Sequence, residues 1–202
     1  PIILQVDSSG KFSEFSLKNV KHDIAPLPNP PEDKVVGAGR RKQNNRQFSI
    51  TDIAFVDGRL VVAGLSNEQF ASNLRTIPFP FTKTDRGSSI EIFHGAHGRL
   101  ETRSPIRTFV PIDIDGNPQL IAAYTCTPLV RIPLSDLKAG TKVTGTTIAE
   151  LGNRNRPLDI IAYKKDGKRF LLMANSARGV MKISTDDIDK RKSIDKRISG
   201  LT

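Results

Sequence analysis

One cysteine, three histidines and no tryptophan occur in 202 residues. The lone Cys126 excludes an internal disulfide, so no covalent staple holds the fold. Without Trp, the chain cannot carry a repeat signature built on a Trp-Asp pair or a docked tryptophan. No apolar run approaches the roughly 18 residues of a helical membrane span. There is no Cys-x-x-Cys-His, which excludes a covalently attached c-type haem in this sequence. Gly37-Ala38-Gly39 lacks the rest of a phosphate-cradling pattern, and no Gly-x-Ser-x-Gly elbow occurs. No signal peptide is visible. The sequence opens on Pro1 and runs at once into a strand, Ile2–Val6, where a native start would carry Met; the expectation is a processed or partial chain.

What the chain has is positive charge. Lys and Arg number 31 against 21 Asp and Glu, a formal net charge of +10. Such a surface attracts anionic partners, and an acidic protein or an anionic small molecule fits it. The aromatics sit mostly at strand positions and are not interleaved with the basic runs. The stacking platform of single-strand binders is therefore missing, and nucleic acid is set aside as a partner.

The main pattern is a repeat. Residues 156–184 read as strand, Asp166-Gly167 turn, strand, turn, strand. An Asp-Gly pair between apolar runs is a strong hairpin signal, because Gly readily takes the positive φ of tight turns. The same unit occurs around Asp57-Gly58 and Asp115-Gly116, so the turn glycines stand 58 and 51 residues apart. In each unit the second strand is the most apolar: Leu60-Val61-Val62-Ala63, Leu120-Ile121-Ala122-Ala123 and Phe170-Leu171-Leu172-Met173-Ala174. A continuous apolar strand of this length reads as buried on both faces. The units run over about 48–93, 104–151 and 156–202. A hairpin at 2–18 reads as a partial blade. The stretch 19–47 is a Pro-rich, basic connection, since Pro26, Pro28, Pro30 and Pro31 forbid a central strand. The charged tail Thr185–Lys196 reads as loop or short helix, and Arg197–Leu201 as the start of another outer strand.

Serial four-stranded units of this size give an all-β fold, a β-propeller of antiparallel blades. The repeats resemble the bacterial repeat propellers, the NHL, YVTN and quinoprotein-like group. That resemblance implies a toroid with a functional top face and a periplasmic or secreted setting. Three units and partial ends make about four blades, so the expectation is a small propeller, or an incomplete ring whose rest comes from missing sequence or a second chain.

The connections leading into the three units carry the candidate chemistry. Arg46, Arg103 and Arg156 each stand just before a first strand, and Asn45, Asn153, Arg154 and Asn155 accompany them. Around one mouth of a propeller these side chains offer bidentate donors to a carboxylate, phosphate or sulfate. The competing expectation pairs the arginines with acids such as Asp52 and Asp159, locking neighbouring blades. The expected ligand-binding set is Arg46, Arg103, Asn153, Arg154 and Arg156. His94 and His97, two imidazoles separated by two small residues, are the candidate metal ligands; Glu91 and Glu101 stand near, and a further ligand would come from another blade. Cys126, between Thr125 and Thr127 after a second strand, reads as a small hydrophobe rather than a nucleophile, lacking an activating neighbour in sequence. No cofactor is expected beyond a transition metal at this pair. The predicted function is a binding or scaffold module with a basic top face. The alternative is a quinoprotein-like or metal-dependent propeller enzyme, an oxidoreductase or hydrolase, that uses His94 or His97 as ligand or base.

Overall fold

A computed structural model describes residues 2–39 and 42–200; Pro1, Arg40 and Arg41 of the basic connection, and Leu201 and Thr202 of the last unit lie outside them. The protein is all-β, with several antiparallel sheets and none closed on itself. Among the described residues no helix is long and apolar enough to cross a membrane.

In chain order, β1 (Ile3–Val6) and β2 (Phe12–Phe15) form a hairpin exposed on both faces. Short β3 (Val35–Val36) pairs with β4 (Gln43–Asn44). Three meanders follow. The first is β5 (Asp52–Val56), β6 (Arg59–Leu65), β7 (Ser72–Pro78) and β8 (Ser88–His94), with β9 (Arg99–Glu101) folded back on β8. The second is β10 (Ile106–Ile114), β11 (Asn117–Tyr124) and β12 (Cys126–Pro133), then β13 (Lys142–Thr144) and β14 (Thr146–Asn155). The third is β15 (Pro157–Lys165), β16 (Lys168–Asn175) and β17 (Gly179–Ser184). Each opens on a two-residue hairpin, with Asp57-Gly58, Asp115-Gly116 and Asp166-Gly167 all at positive φ. Two such residues in series make the mirror-image turn whose twist matches the strands it joins.

The sheets stack through their apolar faces. Val61, Ala63, Leu74, Ile90 and Ile92 of the first pack against Ile106, Phe109, Leu120, Ala122, Val130 and Ile132 of the second. A separate core joins the second sheet's other face (Ile112, Ile121, Ala123, Leu129, Ile148) to Ile160, Leu171 and Met173 of the third. The middle sheet is thus covered on both sides. The three first strands lie together, β10 beside β5 and beside β15. Asp52 joins two of them. Its Oδ2 accepts from Thr108 Oγ1 at 2.8 Å and from the Phe109 amide at 2.7 Å. The sheets are therefore locked here by a carboxylate on a hydroxyl and an amide, and not by an arginine. Asp159 likewise caps its own neighbour, accepting from the Ile160 amide.

Two features depart from the expected plan. β13 leaves the second meander and pairs in parallel with the outer edge of β8, Val143 opposite Ile90. It closes an edge that would otherwise offer unpaired amides. The tail holds no outer strand among the described residues. It runs back over the second sheet: Arg131 Nη1 donates to the Ile188 and Asp189 carbonyls, and the Ile194 amide to Thr147 O. Charged residues crowd Asp186–Lys196 and leave only single apolar side chains, Ile188 packing against the second core, so it stays a strap.

The Pro-rich connection is also a strap. Arg75, alternate to the core residue Leu74, points to the far face of the first sheet and is buried there. Its Nη2 donates to Pro28 O, and burial holds its guanidinium pKa below the usual value. Thr84 Oγ1 donates to Pro26 O and Arg46 Nη1 to Pro31 O. Beyond the strap this face leaves Ile53 and Phe55 exposed, and the far face of the third sheet leaves Leu158, Ile161 and Val180 exposed.

Replacing Asp52 by Ala strands a buried hydroxyl and an amide. The expected cost is about 2 kcal/mol, read from the midpoint of urea unfolding, with Asp52→Asn losing less.

Candidate functional site

In an antiparallel meander the connections alternate between the two ends of the sheet. The links from second to third strand, and those leading into each first strand, therefore share one end. A cleft of about 970 Å3 opens there. Its walls come from all three meanders and from the first strap, and include Lys34, Asn45, Arg103, Arg107, Arg156 and Ser176. Arg107 also lies over the Phe48 ring, 5.6 Å from its centroid.

Of the predicted binding residues, Arg103 and Arg156 line this cleft. Both are exposed, and among the described residues neither guanidinium has an acidic partner within ion-pair distance. Arg46 is turned away onto Pro31 O. Arg154 and Asn153 do not line the cleft; Arg154 takes a positive φ, and Asn153 gives its carbonyl to Arg178. Two carboxylates border the cleft, Glu32 and Glu68, occupied by Lys34 and by Asn29. Asn175 escaped the sequence reading. Its Oδ1 accepts from the Arg156 and Ala177 amides, and its Nδ2 donates to buried Asn155. It thus fixes the backbone that carries Arg156.

The histidines sit next to the cleft, at the seam of the first two sheets. His94 ends β8 and is buried; His97 follows in a tight turn closed by His97 and Gly98 amides on His94 O. Their rings lie face to face, 3.7 Å between centroids and tilted by 36°. Glu101, on β9, bridges them. His94 Nδ1 lies 3.0 Å from Oε2 and His97 Nδ1 2.6 Å from Oε1. Ser104 Oγ, on the cleft wall, donates to Oε2 at 3.0 Å. The His94 hydrogen bond, opposed by burial and helped by His97, holds the Glu101 carboxyl far below its usual range. A carboxylate only accepts, so in the neutral rings both Nδ1 atoms carry the proton and both Nε2 atoms present a lone pair. Thr127 Oγ1 donates to that of His94 at 2.8 Å.

Cys126 completes the group from the next sheet. Its sulfur and the candidate ligand nitrogens of His94 and His97 all lie within 4.8 Å of one another. It is partly exposed, and it takes a φ of 85° as the first residue of β12, directly after Thr125, the one-residue link from β11. The left-handed region is costly for a residue with a β-carbon. Burial, with lesser pushes from Glu150 and Glu101, raises its thiol pKa against the pull of Thr127. Cys126, read from sequence as a small hydrophobe, is half-buried here and stands beside two imidazoles. Gly95 explains why the turn is glycine-rich. Its amide donates to buried Glu150 at 2.7 Å, and a β-carbon there would stand 2.8 Å from the same oxygen. Glu91 belongs elsewhere, accepting from Thr144.

The chain matches no protein-family model and no curated protein sequence.

Glu101→Gln removes the charge and turns one of the two acceptor oxygens into a donor, and is expected to cost about 1–3 kcal/mol at neutral pH. A carboxyl depressed in the fold stabilises above its ordinary pKa of 4.5 and loses that contribution as pH falls below it. Urea unfolding as a function of pH should show this acid-side loss in the natural chain and less of it in the variant.

Proposed function

We propose that the chain is an arc of a β-propeller that binds an anionic ligand, the acidic stretch of a partner protein or a small polyanion, in the basic cleft at its mouth. The observation that carries this reading is the pair Arg103 and Arg156. They stand on successive connecting segments, line one cleft, and have no acidic partner among the described residues. Guanidiniums left unpaired at a concave surface are suited to bidentate contacts with carboxylate or phosphate oxygens. The net charge of +10 adds long-range attraction.

The propeller reading is supported by three serial meanders, by first strands lying side by side, and by a middle sheet sandwiched between its neighbours. The exposed apolar faces of the first and third sheets are where further blades, from this protein or a second chain, would pack to close the ring.

Calorimetric titration with an oligo-aspartate peptide and with pyrophosphate tests the reading. At least one should bind, more weakly as salt rises, and the double variant Arg103→Ala, Arg156→Ala should lose at least about tenfold in affinity while unfolding normally, since a charge-assisted hydrogen bond is worth roughly 1.5–3 kcal/mol. Unchanged affinity in the variant, or an unfolded variant, would count against it.

A further inference from the structure

We infer that His94, His97 and Cys126 form a binding site for a zinc-class transition metal ion, with Glu101 orienting both imidazoles from the outer shell. Four observations carry it. The three side chains come from two different sheets, 32 residues apart in sequence between His94 and Cys126, yet their ligand atoms converge within 4.8 Å. Two nitrogens and one sulfur are the borderline-soft set that zinc takes, with a fourth position left for water or a ligand. Glu101 accepts from both Nδ1 atoms, the arrangement by which a carboxylate fixes the tautomer of metal-binding histidines and raises their basicity. Cys126 is held at a backbone angle that its side chain disfavours, and that corner is what brings the sulfur to the imidazoles.

The geometry is near closure. Zinc–nitrogen and zinc–sulfur bonds of about 2.0–2.3 Å put tetrahedral ligand atoms roughly 3.3–3.8 Å apart. Reaching that spacing takes a contraction on the order of 1 Å. Cys126 and the half-exposed His97 can supply it by side-chain rotation. His94 stays fixed by Glu101 and exchanges the Thr127 hydroxyl at its Nε2 for the ion. Thr127 keeps its backbone place beside Cys126. Ser104 and Thr125 both line the cleft, the first bonded to Glu101 and the second adjoining Cys126, so the ion would border the basic cleft. This site stands independently of what fills that cleft.

The probe is Co²⁺, titrated into the 202-residue chain under reducing conditions. One equivalent should bind, with the d–d intensity of a low-coordinate ion and a near-ultraviolet sulfur-to-cobalt charge-transfer band, and Zn²⁺ should displace it. Cys126→Ser should abolish the charge-transfer band. His97→Gln should weaken binding at least about tenfold. Glu101→Gln, an outer-shell change, should weaken it by about 10–100-fold without removing the band. Circular dichroism on each variant separates loss of the site from loss of the fold, and His97, being half-exposed, provides a variant that does not disturb the core. No binding, binding without a thiolate band, or unchanged affinity in folded Cys126→Ser and His97→Gln would overturn the site.

Discussion

The structure rests on the alternation of side chains along β11. Leu120, Ala122 and Tyr124 face the first sheet, whereas Ile121 and Ala123 face the third. A strand whose two faces are both buried cannot slip by one residue without exchanging its two cores. Its neighbours inherit that register: Phe109 and Val130 pair opposite Ala122 on one face, and Val110 opposite Ile121 on the other. Each face then dictates where an adjoining meander sits. The Asp52 carboxylate ties β5 to β10 in the same alignment.

The candidate chemistry follows from this packing. Bringing β8 against the second sheet sets His94 beside the corner between β11 and β12, where Cys126 lies. Aligning three meanders in the same sense gathers their links at one end, where Arg103 and Arg156 face one cleft. Neither group lies within a single strand; both exist because sheets meet. The straps matter for the same reason. The Pro-rich segment over Arg75 and the tail over Arg131 cover edges and faces that the meanders leave open. They hold the outer parts of the sheets in place around the cleft and the histidine pair.

Much of the meander plan was legible in sequence, because Asp-Gly turns and continuous apolar strands are local signals. The two-sided burial inferred for second strands holds fully for β11. On β16, Phe170 and Leu172 remain partly exposed, since the third sheet has a neighbour on one face only. The parallel pairing of β13 was not legible: Lys142-Val143-Thr144 carries no pattern until β8 supplies an edge. The pairing of Asp52 with Thr108 was hidden for the same reason, as charge suggested an arginine where geometry supplies a hydroxyl. His94 and His97 were visible by spacing. Cys126 was not, because its partners lie in another sheet and its backbone angle leaves no trace in sequence. Arg46, Asn153 and Arg154 shared the sequence position of Arg103 and Arg156 but not their direction, which local backbone decides.

The most direct test compares hydrogen exchange in Leu120→Ala and Ile121→Ala, adjacent residues of β11 with opposite directions. Each truncation should cost about 2–5 kcal/mol. The account predicts that Leu120→Ala deprotects β6, β7 and β8, while Ile121→Ala deprotects β15 and β16. The same pattern of deprotection in both variants would contradict a middle sheet that holds two separate cores.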